Sequence, residues 1–241
     1  MGYEGVGQNL AKIKQRIKEA CLKSNRNAED ITLIAVSKTF PAEAALEAYN
    51  NGQRDFGENK VQEMVNKFES LAGKDIRWHL IGHLQTNKVK YVAKFVHLIH
   101  SVDSVKLAEK INSEAKKAGK IINCLVQVNT SKEEQKSGCE VEEAAGIVKE
   151  ISEMENVRVK GLMTIGKMIF DENNPDEVNE VRKNFRILRK LRDEIQSQNI
   201  PNTEMEYLSM GMTSDFEIAI EEGSNMLRIG SAIFGSRNYN L

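Results

Sequence analysis

Ile31-Thr-Leu-Ile-Ala-Val-Ser-Lys38 is a continuous apolar run, rich in β-branched residues, that ends on a single lysine. Followed by Thr39-Phe40-Pro41 and then a helical pattern, a run of this length and composition predicts a strand buried on both faces, as in a parallel sheet. Lys38 then stands at the strand's carboxyl end. In a (β/α)8 barrel that end faces the mouth formed by the βα loops, where small molecules bind. A free lysine titrates near ~10.4 and is a weak nucleophile at neutral pH. Partial burial at a mouth disfavours the ammonium and helps expose the amine that a Schiff base needs. Taken alone, the stretch favours the plainer reading, a strand whose lysine points into water.

Length and charge narrow the classes further. A chain of 241 residues is longer than an average domain, but α/β barrels commonly occupy this length as one unit, so a single domain over residues 1–241 is expected. With 34 basic against 35 acidic residues and a net charge of -1, nothing favours a nucleic acid or an anionic membrane as the main partner. Cys21, Cys124 and Cys139 are scattered without metal-ligand spacing, and no secretory leader precedes them. A reduced, cytoplasmic protein with a small-molecule partner is the expectation. The apolar runs are strand-sized, well short of the ~20 residues that span a bilayer.

Outward from the first strand, the chain alternates. Val6, Leu10, Ile13, Ile17, Ala20 and Cys21 recur at helical spacing and predict an extra N-terminal helix. Strands are predicted at 31–38, 55–57, 76–81, 98–102, 121–128, 157–163, 207–209 and 226–229. Helices are predicted between them at 41–51, with Pro41 at the first helical position, then at 61–71, over a basic segment near 88–94, from a cap at Asp103 or Ser104 to Gly119, at 141–154, from after the 166–175 loop to about 198, and at 216–222. Eight alternations favour a closed barrel over an open doubly wound sheet.

The glycine-containing loops fall where such a barrel holds phosphate. Ser209-Met-Gly-Met-Thr213-Ser-Asp215 follows the seventh strand and Arg228-Ile-Gly230-Ser231-Ala-Ile-Phe-Gly235 follows the eighth. Gly211 and Gly230 permit close backbone approach, and Ser209, Thr213 and Ser231 add hydroxyls. Neither loop has the Walker or dinucleotide fingerprint, so ATP and NAD lose support. Either loop alone is an ordinary turn; the two together with Lys38 in one mouth make a site. His79 and His83 lack a carboxylate or third ligand at useful spacing, so no metal is expected. Trp78 reads as core, and the Lys88-to-Lys94 charges as a solvated helix face.

These phrases, together with Phe56-Gly-Glu-Asn59, Trp78-His79-Leu-Ile-Gly-His83-Leu-Gln-Thr-Asn87-Lys88 and Gly161-Leu-Met163-Thr164, resemble the pyridoxal phosphate homeostasis protein family over nearly the whole chain and in the family's order. Its barrel is similar to the N-terminal domain of alanine racemase, a fold-type III architecture. Thr213 departs from the serine expected in many relatives, and the polar 166–175 loop has no assigned role. The resemblance implies that Lys38 holds pyridoxal 5′-phosphate as a Schiff base and that Arg228 faces the pyridine nitrogen. Around them the expected cofactor site takes in Asn59, His83, Met163, Ser209, Met210, Gly211, Thr213, Gly230 and Ser231. The implied role is intracellular cofactor homeostasis, by a carrier that small amino acids can enter, without sustained turnover and with no catalytic residue assigned. The alternative is an amino-acid racemase or decarboxylase. Such racemases take a catalytic tyrosine from a second domain; the chain ends at Leu241, and neither Tyr207 nor Tyr239 lies in a segment resembling that source. A monomer is expected for the same reason.

Overall fold

The protein's structure, a computed structural model, describes residues 3, 5–133, 137–171 and 173–235. Tyr239 lies outside them. Eight parallel strands close a barrel in chain order: β1 (Thr32–Val36), β2 (Asp55–Glu58), β3 (Arg77–Leu80), β4 (Leu98–Val102), β5 (Ile122–Gln127), β6 (Val157–Met163), β7 (Thr203–Ser209) and β8 (Met226–Ile229). Closure is made by β1 on β8, with Thr32 opposite Met226 and Ile34 opposite Arg228. The (β/α)8 expectation therefore holds. The helices are α1 (Gly5–Lys23), α2 (Ala42–Asn50), α3 (Val61–Ser70), α4 (Val89–Val92), α5 (Val105–Lys117), α6 (Ala144–Ser152), α7 (Pro175–Ser197), α8 (Phe216–Glu221) and α9 (Ser231–Phe234). Among the described residues no helix is long and apolar enough to cross a membrane.

Two apolar layers follow from the two-residue period of each strand. Leu33, Ala35, Phe56, Leu80, Leu162 and Leu227 face outward into the core beneath the helices. Ile34, Leu98, Leu125, Met163 and Met226 face inward and pack the barrel interior. Trp78 joins the outer layer, its ring 5.9 Å from that of Phe56. Each fully buried side chain of this size contributes about 1.5–3 kcal/mol. The stripe Val6, Leu10, Ile13, Ile17, Ala20 and Cys21 buries α1 against α2, α8 and α9. Because α8 and α9 are short, α1 completes the outer ring there, tied by Asn9 Nδ2 donating to the Ile233 carbonyl at 3.1 Å and by Arg16 on Glu217.

Three local readings are corrected. Pro41 is the cap residue before α2, with extended φ -73 and ψ 170, rather than its first helical residue. Strand β7 begins at Thr203, four residues earlier than its apolar end suggests. Its exposed Glu204 and Glu206 both pair with Lys160 of β6, and such cross-strand charge pairs support a strand start that hydropathy does not mark. Helix α6 starts at Ala144, after turns at 141–143. Ser104, not Asp103, caps α5, accepting from Leu107 N at 3.4 Å.

Candidate functional site

Lys38 lies two residues past the end of β1, after Ser37, and is half-buried. Ile34 and Val36 face the interior, since a Cβ built on Gly57 would lie 2.9 Å from Ile34 Cγ2 and 3.3 Å from Val36 Cγ2, and Lys38 continues their two-residue period. The chain then turns sharply: Phe40 N donates to the Ser37 carbonyl at 3.1 Å, and Thr39 adopts φ 68. A β-branched residue in that region is strained by roughly 1–3 kcal/mol and persists only where its surroundings hold it. Two contacts do so. Thr39 N donates to Glu63 Oε2 at 2.8 Å, and Lys67 Nζ of α3 donates to the Ser37 carbonyl at 2.7 Å. Lys67 also bonds Glu58 Oε1 at 2.5 Å, which accepts from Ser37 Oγ at 2.6 Å. A buried ion pair behind the strand thus fixes the platform from which Lys38 projects.

Arg228 sits on β8, the strand next to β1, and is 4% exposed. Its Nη1 donates to Ser209 Oγ at 2.6 Å and its Nη2 to the Thr164 carbonyl at 2.8 Å. Burial lowers its pKa to about 10, with Asp215 opposing, so the guanidinium stays a cation at neutral pH. Arg228 is thus an interior side chain and not a solvent-exposed arginine at a strand end. Thr164 is buried too, its hydroxyl donating to the Val128 carbonyl at 2.7 Å and lying 3.0 Å from Thr130 Oγ1.

The loops after β7 and β8 meet at the rim. Ser231 Oγ donates to Thr213 Oγ1 at 3.2 Å, with Ser231 exposed and Thr213 half-buried. Gly230 caps α9, and a Cβ there would lie 3.1 Å from the Val36 carbonyl, so a larger residue would crowd the end of β1. Gly211 takes φ +98, and a Cβ there would lie 2.6 Å from Ala219 Cβ, so only glycine seats this loop on α8. Asp215 ties the loop together by accepting from Met212 N at 2.5 Å. Burial raises its carboxyl to about 6, against the pull of that bond and of the Arg228 charge.

Two of the expected site residues have side chains buried away from the rim. The Ser209 hydroxyl is fully buried between Arg228 and His100 (Nδ1 at 2.9 Å), so it cannot also line a rim cup with its hydroxyl. The Met210 side chain is buried in the outer core, which leaves only its main chain for any part in the mouth. Met163 is an interior side chain. Asn59 is half-buried after β2, its backbone so close to Gly82 that a Cβ there would lie 2.2 Å from the Asn59 carbonyl oxygen. His83 is exposed, its Nδ1 3.9 Å from Asp103.

Sequence reasoning missed a polar line through the barrel. Asp55, His79 and His100 are buried side chains of β2, β3 and β4. Asp55 Oδ1 is 3.0 Å from His79 Nε2, and His79 Nδ1 is 2.9 Å from His100 Nε2. The available signal was a titratable residue at an inward position in each of three successive strands, and it needs the barrel's register to be read. No group of three or more metal-ligating side chains occurs among the described residues.

The family model described as alanine racemase, N-terminal domain, matches residues 8–238. A pyridoxal phosphate homeostasis protein of Aquifex aeolicus is 44% identical over 232 residues, covering 96% of this chain and 98% of its own. One from Haemophilus influenzae is 41% identical over 238 residues, covering 98% and 97%. Among solved structures, an unknown protein from Bifidobacterium adolescentis matches with TM-score 0.89 at 37% identity, covering 96% of this chain and 95% of that one. PipY of Synechococcus elongatus, with PLP bound, matches with TM-score 0.79 at 33% identity, covering 95% and 100%. Alanine racemase of Clostridium difficile, at 17% identity and TM-score 0.75, shares the fold; the match covers 98% of this chain and 58% of that one.

Proposed function

This chain belongs to the pyridoxal phosphate homeostasis protein family, and from that membership we infer that it binds pyridoxal 5′-phosphate at the barrel mouth, linked to Lys38, and holds the cofactor in reserve without sustained amino-acid turnover. The observation that carries this reading is a half-buried lysine just past the carboxyl end of β1, together with a buried guanidinium on the adjoining β8. The donor set fits the cofactor. Arg228 has five N–H groups and no acceptor, and Ser209 and Thr164 engage two of them. An always-cationic donor at the ring-nitrogen end disfavours pyridinium. Thr213, Ser231 and the main-chain N–H groups around Gly230 supply donors for a phosphate, while Asn59 follows β2, the strand that flanks β1 on the side away from β8.

When bound, pyridoxal phosphate supplies a carbonyl carbon that an amine can attack and a ring that can take up electron density. The residues of this chain favour the first property over the second. Lys38 provides the amine from a platform fixed by Lys67 and Glu58. Arg228 keeps the ring a poor electron sink, which works against racemisation or decarboxylation. Racemisation also needs acid/base groups on both faces of the substrate, each typically contributing ~10²–10⁴-fold. Lys38 serves one face. Tyr207 precedes the already buried Ser209 by two residues on β7, toward the barrel floor, with Lys160 beneath its ring.

An absorption spectrum of the purified protein tests the reading. A near-visible band lost on borohydride reduction, and absent from Lys38→Ala, is the expected result. A cofactor-free spectrum after incubation with pyridoxal phosphate would end the proposal. Incubation with L- and D-alanine, lysine and ornithine tests the carrier role: conversion sustained over many turnovers and abolished by Lys38→Ala would establish an enzyme instead.

A further inference from the structure

The line Asp55–His79–His100–Ser209–Arg228 is continuous, each link between 2.6 and 3.0 Å. Its direction follows from which atoms can donate. Asp55 as a carboxylate only accepts and Arg228 only donates, so with both rings neutral the Ser209 hydroxyl accepts from Arg228 and donates to His100 Nδ1. His100 must then carry its proton on Nε2 and donate to His79 Nδ1. His79 in turn carries its proton on Nε2 and donates to Asp55. In this one arrangement both rings are neutral, and each of the four ring nitrogens has one partner in its proper role. The reverse tautomer of His79 would set a ring lone pair against the Asp55 carboxylate. Burial and the neighbouring His79, Arg228 and His97 all lower the pKa of His100, which agrees with a neutral ring.

The two ends of this line carry opposite charges. Asp55 is held as a carboxylate by the guanidinium of Arg77, whose Nε and Nη2 bond its two oxygens at 2.8 and 2.6 Å. Arg77 opens β3 and its side chain is 49% exposed, so this end meets solvent on the face opposite the mouth. His97 lies edge-on to His79, ring centroids 5.3 Å apart. Between anion and cation, the dipoles of two imidazoles and one hydroxyl point the same way, and in a low-dielectric interior each bond strengthens the next.

We propose that Asp55, His79 and His100 are positioning residues for Arg228, forming a single polarised relay that runs from the exposed Arg77–Asp55 pair on the barrel floor and orients the guanidinium at the ring-nitrogen end of the cofactor. Only the last link rests on the cofactor reading; the relay itself is a property of the chain. Its consequence is that a change on the floor alters the electronic state of a ring bound at the mouth without touching it.

Long-range ¹H–¹⁵N spectra of protein labelled in histidine nitrogen, recorded at neutral pH without cofactor, read the tautomers directly. His79→Gln and His100→Gln identify the resonances. Both rings are expected as neutral Nε2–H tautomers, and Asp55→Asn is expected to move the nitrogen shifts of His100, a ring that Asp55 does not touch. An Nδ1–H or doubly protonated ring in the wild type overturns the relay even if Asp55→Asn fails to fold. So do unchanged His100 shifts in a folded Asp55→Asn protein. With pyridoxal phosphate added, Asp55→Asn should shift the absorption band and raise the cofactor's dissociation constant a few-fold, with partial rescue by Asp55→Glu. Lower thermal stability with an unaltered band would mean that the line only fills the barrel, and would overturn its positioning role. Wild-type protein that takes up no cofactor would sink the binding reading, by a measurement separate from the tautomers.

Discussion

Asp55 and Asp215 are carboxylates buried in one barrel, the first on the floor at the start of β2, the second beside the mouth at the cap of α8, and their surroundings push them apart. Burial alone raises a carboxyl pKa. At Asp55 it is outweighed by the hydrogen bonds and charges of Arg77 and His79, which hold the group well below the usual range. At Asp215 burial prevails: the partner at bonding distance is a main-chain N–H, Arg228 acts through space, and the carboxyl stands at about 6. Between these two, a directly bonded cation rather than depth decides which acid remains an anion. Asp55 is therefore a fixed charge, while Asp215 titrates in the loop that carries Thr213.

The largest effect by which this rule can be broken is at a third acid. Glu58 is fully buried, with Lys67 bonded to Oε1 and its Oε2 left without a hydrogen-bond partner. Burial leaves its pKa raised even against the pull of Lys67 and Ser37, so here the bonded cation limits the effect of depth without reversing it. Lys67→Met strips the cation and is expected to cost about 3–5 kcal/mol in urea unfolding at pH 7, most of it recovered by Lys67→Met/Glu58→Leu. A cost under about 1 kcal/mol would contradict the rule.

Asp55→Asn comes next, at about 2 kcal/mol at pH 7, since charge-assisted bonds contribute roughly 1.5–3 kcal/mol and half-exposed Arg77 is partly solvated. The folded pKa is depressed, so this stabilisation is present above the ordinary value of 3.8 and is lost as pH falls through the folded pKa. Unfolding curves of the two proteins should converge toward pH 2, and a constant difference would assign the loss to packing.

Asp215→Asn should act with the opposite sign. A folded pKa of about 6 against 3.8 means that the native state holds an extra proton between those values. The associated stability is full below 3.8 and is lost as pH rises through 6, with a ceiling of about 3 kcal/mol. The amide can still accept from Met212 N. The variant is expected to be about 1 kcal/mol more stable than wild type at pH 7 and equal to it near pH 3.5; destabilisation at pH 7 would show the carboxylate to be well paired. The smallest effect is expected of Ser231→Ala, which removes an exposed hydroxyl: unchanged stability within about 0.5 kcal/mol, and a few-fold weaker retention of pyridoxal phosphate by equilibrium dialysis.

The barrel was legible because its signals are local. Runs such as 31–38 and 157–163 announce buried parallel strands by composition, and the stripe on α1 announces a packed helix by period. The start of β7 was hidden because Glu204 and Glu206 are held by partners on another strand. In the site, Lys38, Arg228 and the 209–215 and 228–235 loops could be found because strand ends and glycines mark them. Ser209 could not be separated from Thr213 and Ser231 as a hydroxyl donor: one faces His100 inside the barrel and two face the rim, a difference of register rather than residue type. The relay was hidden for the same reason, its bonded residues being 19 to 109 positions apart in the chain and adjacent only once the barrel closes.

The proposed Schiff base requires that Lys38, just past β1, and no other lysine carries the cofactor. Protein incubated with pyridoxal phosphate, reduced with borohydride and mapped by peptide mass spectrometry should carry the pyridoxyl group on Lys38, with Lys38→Ala folded, judged by circular dichroism, and unlabelled. A pyridoxyl group found on another lysine while Lys38 stays unmodified would rule out Lys38 as the attachment site.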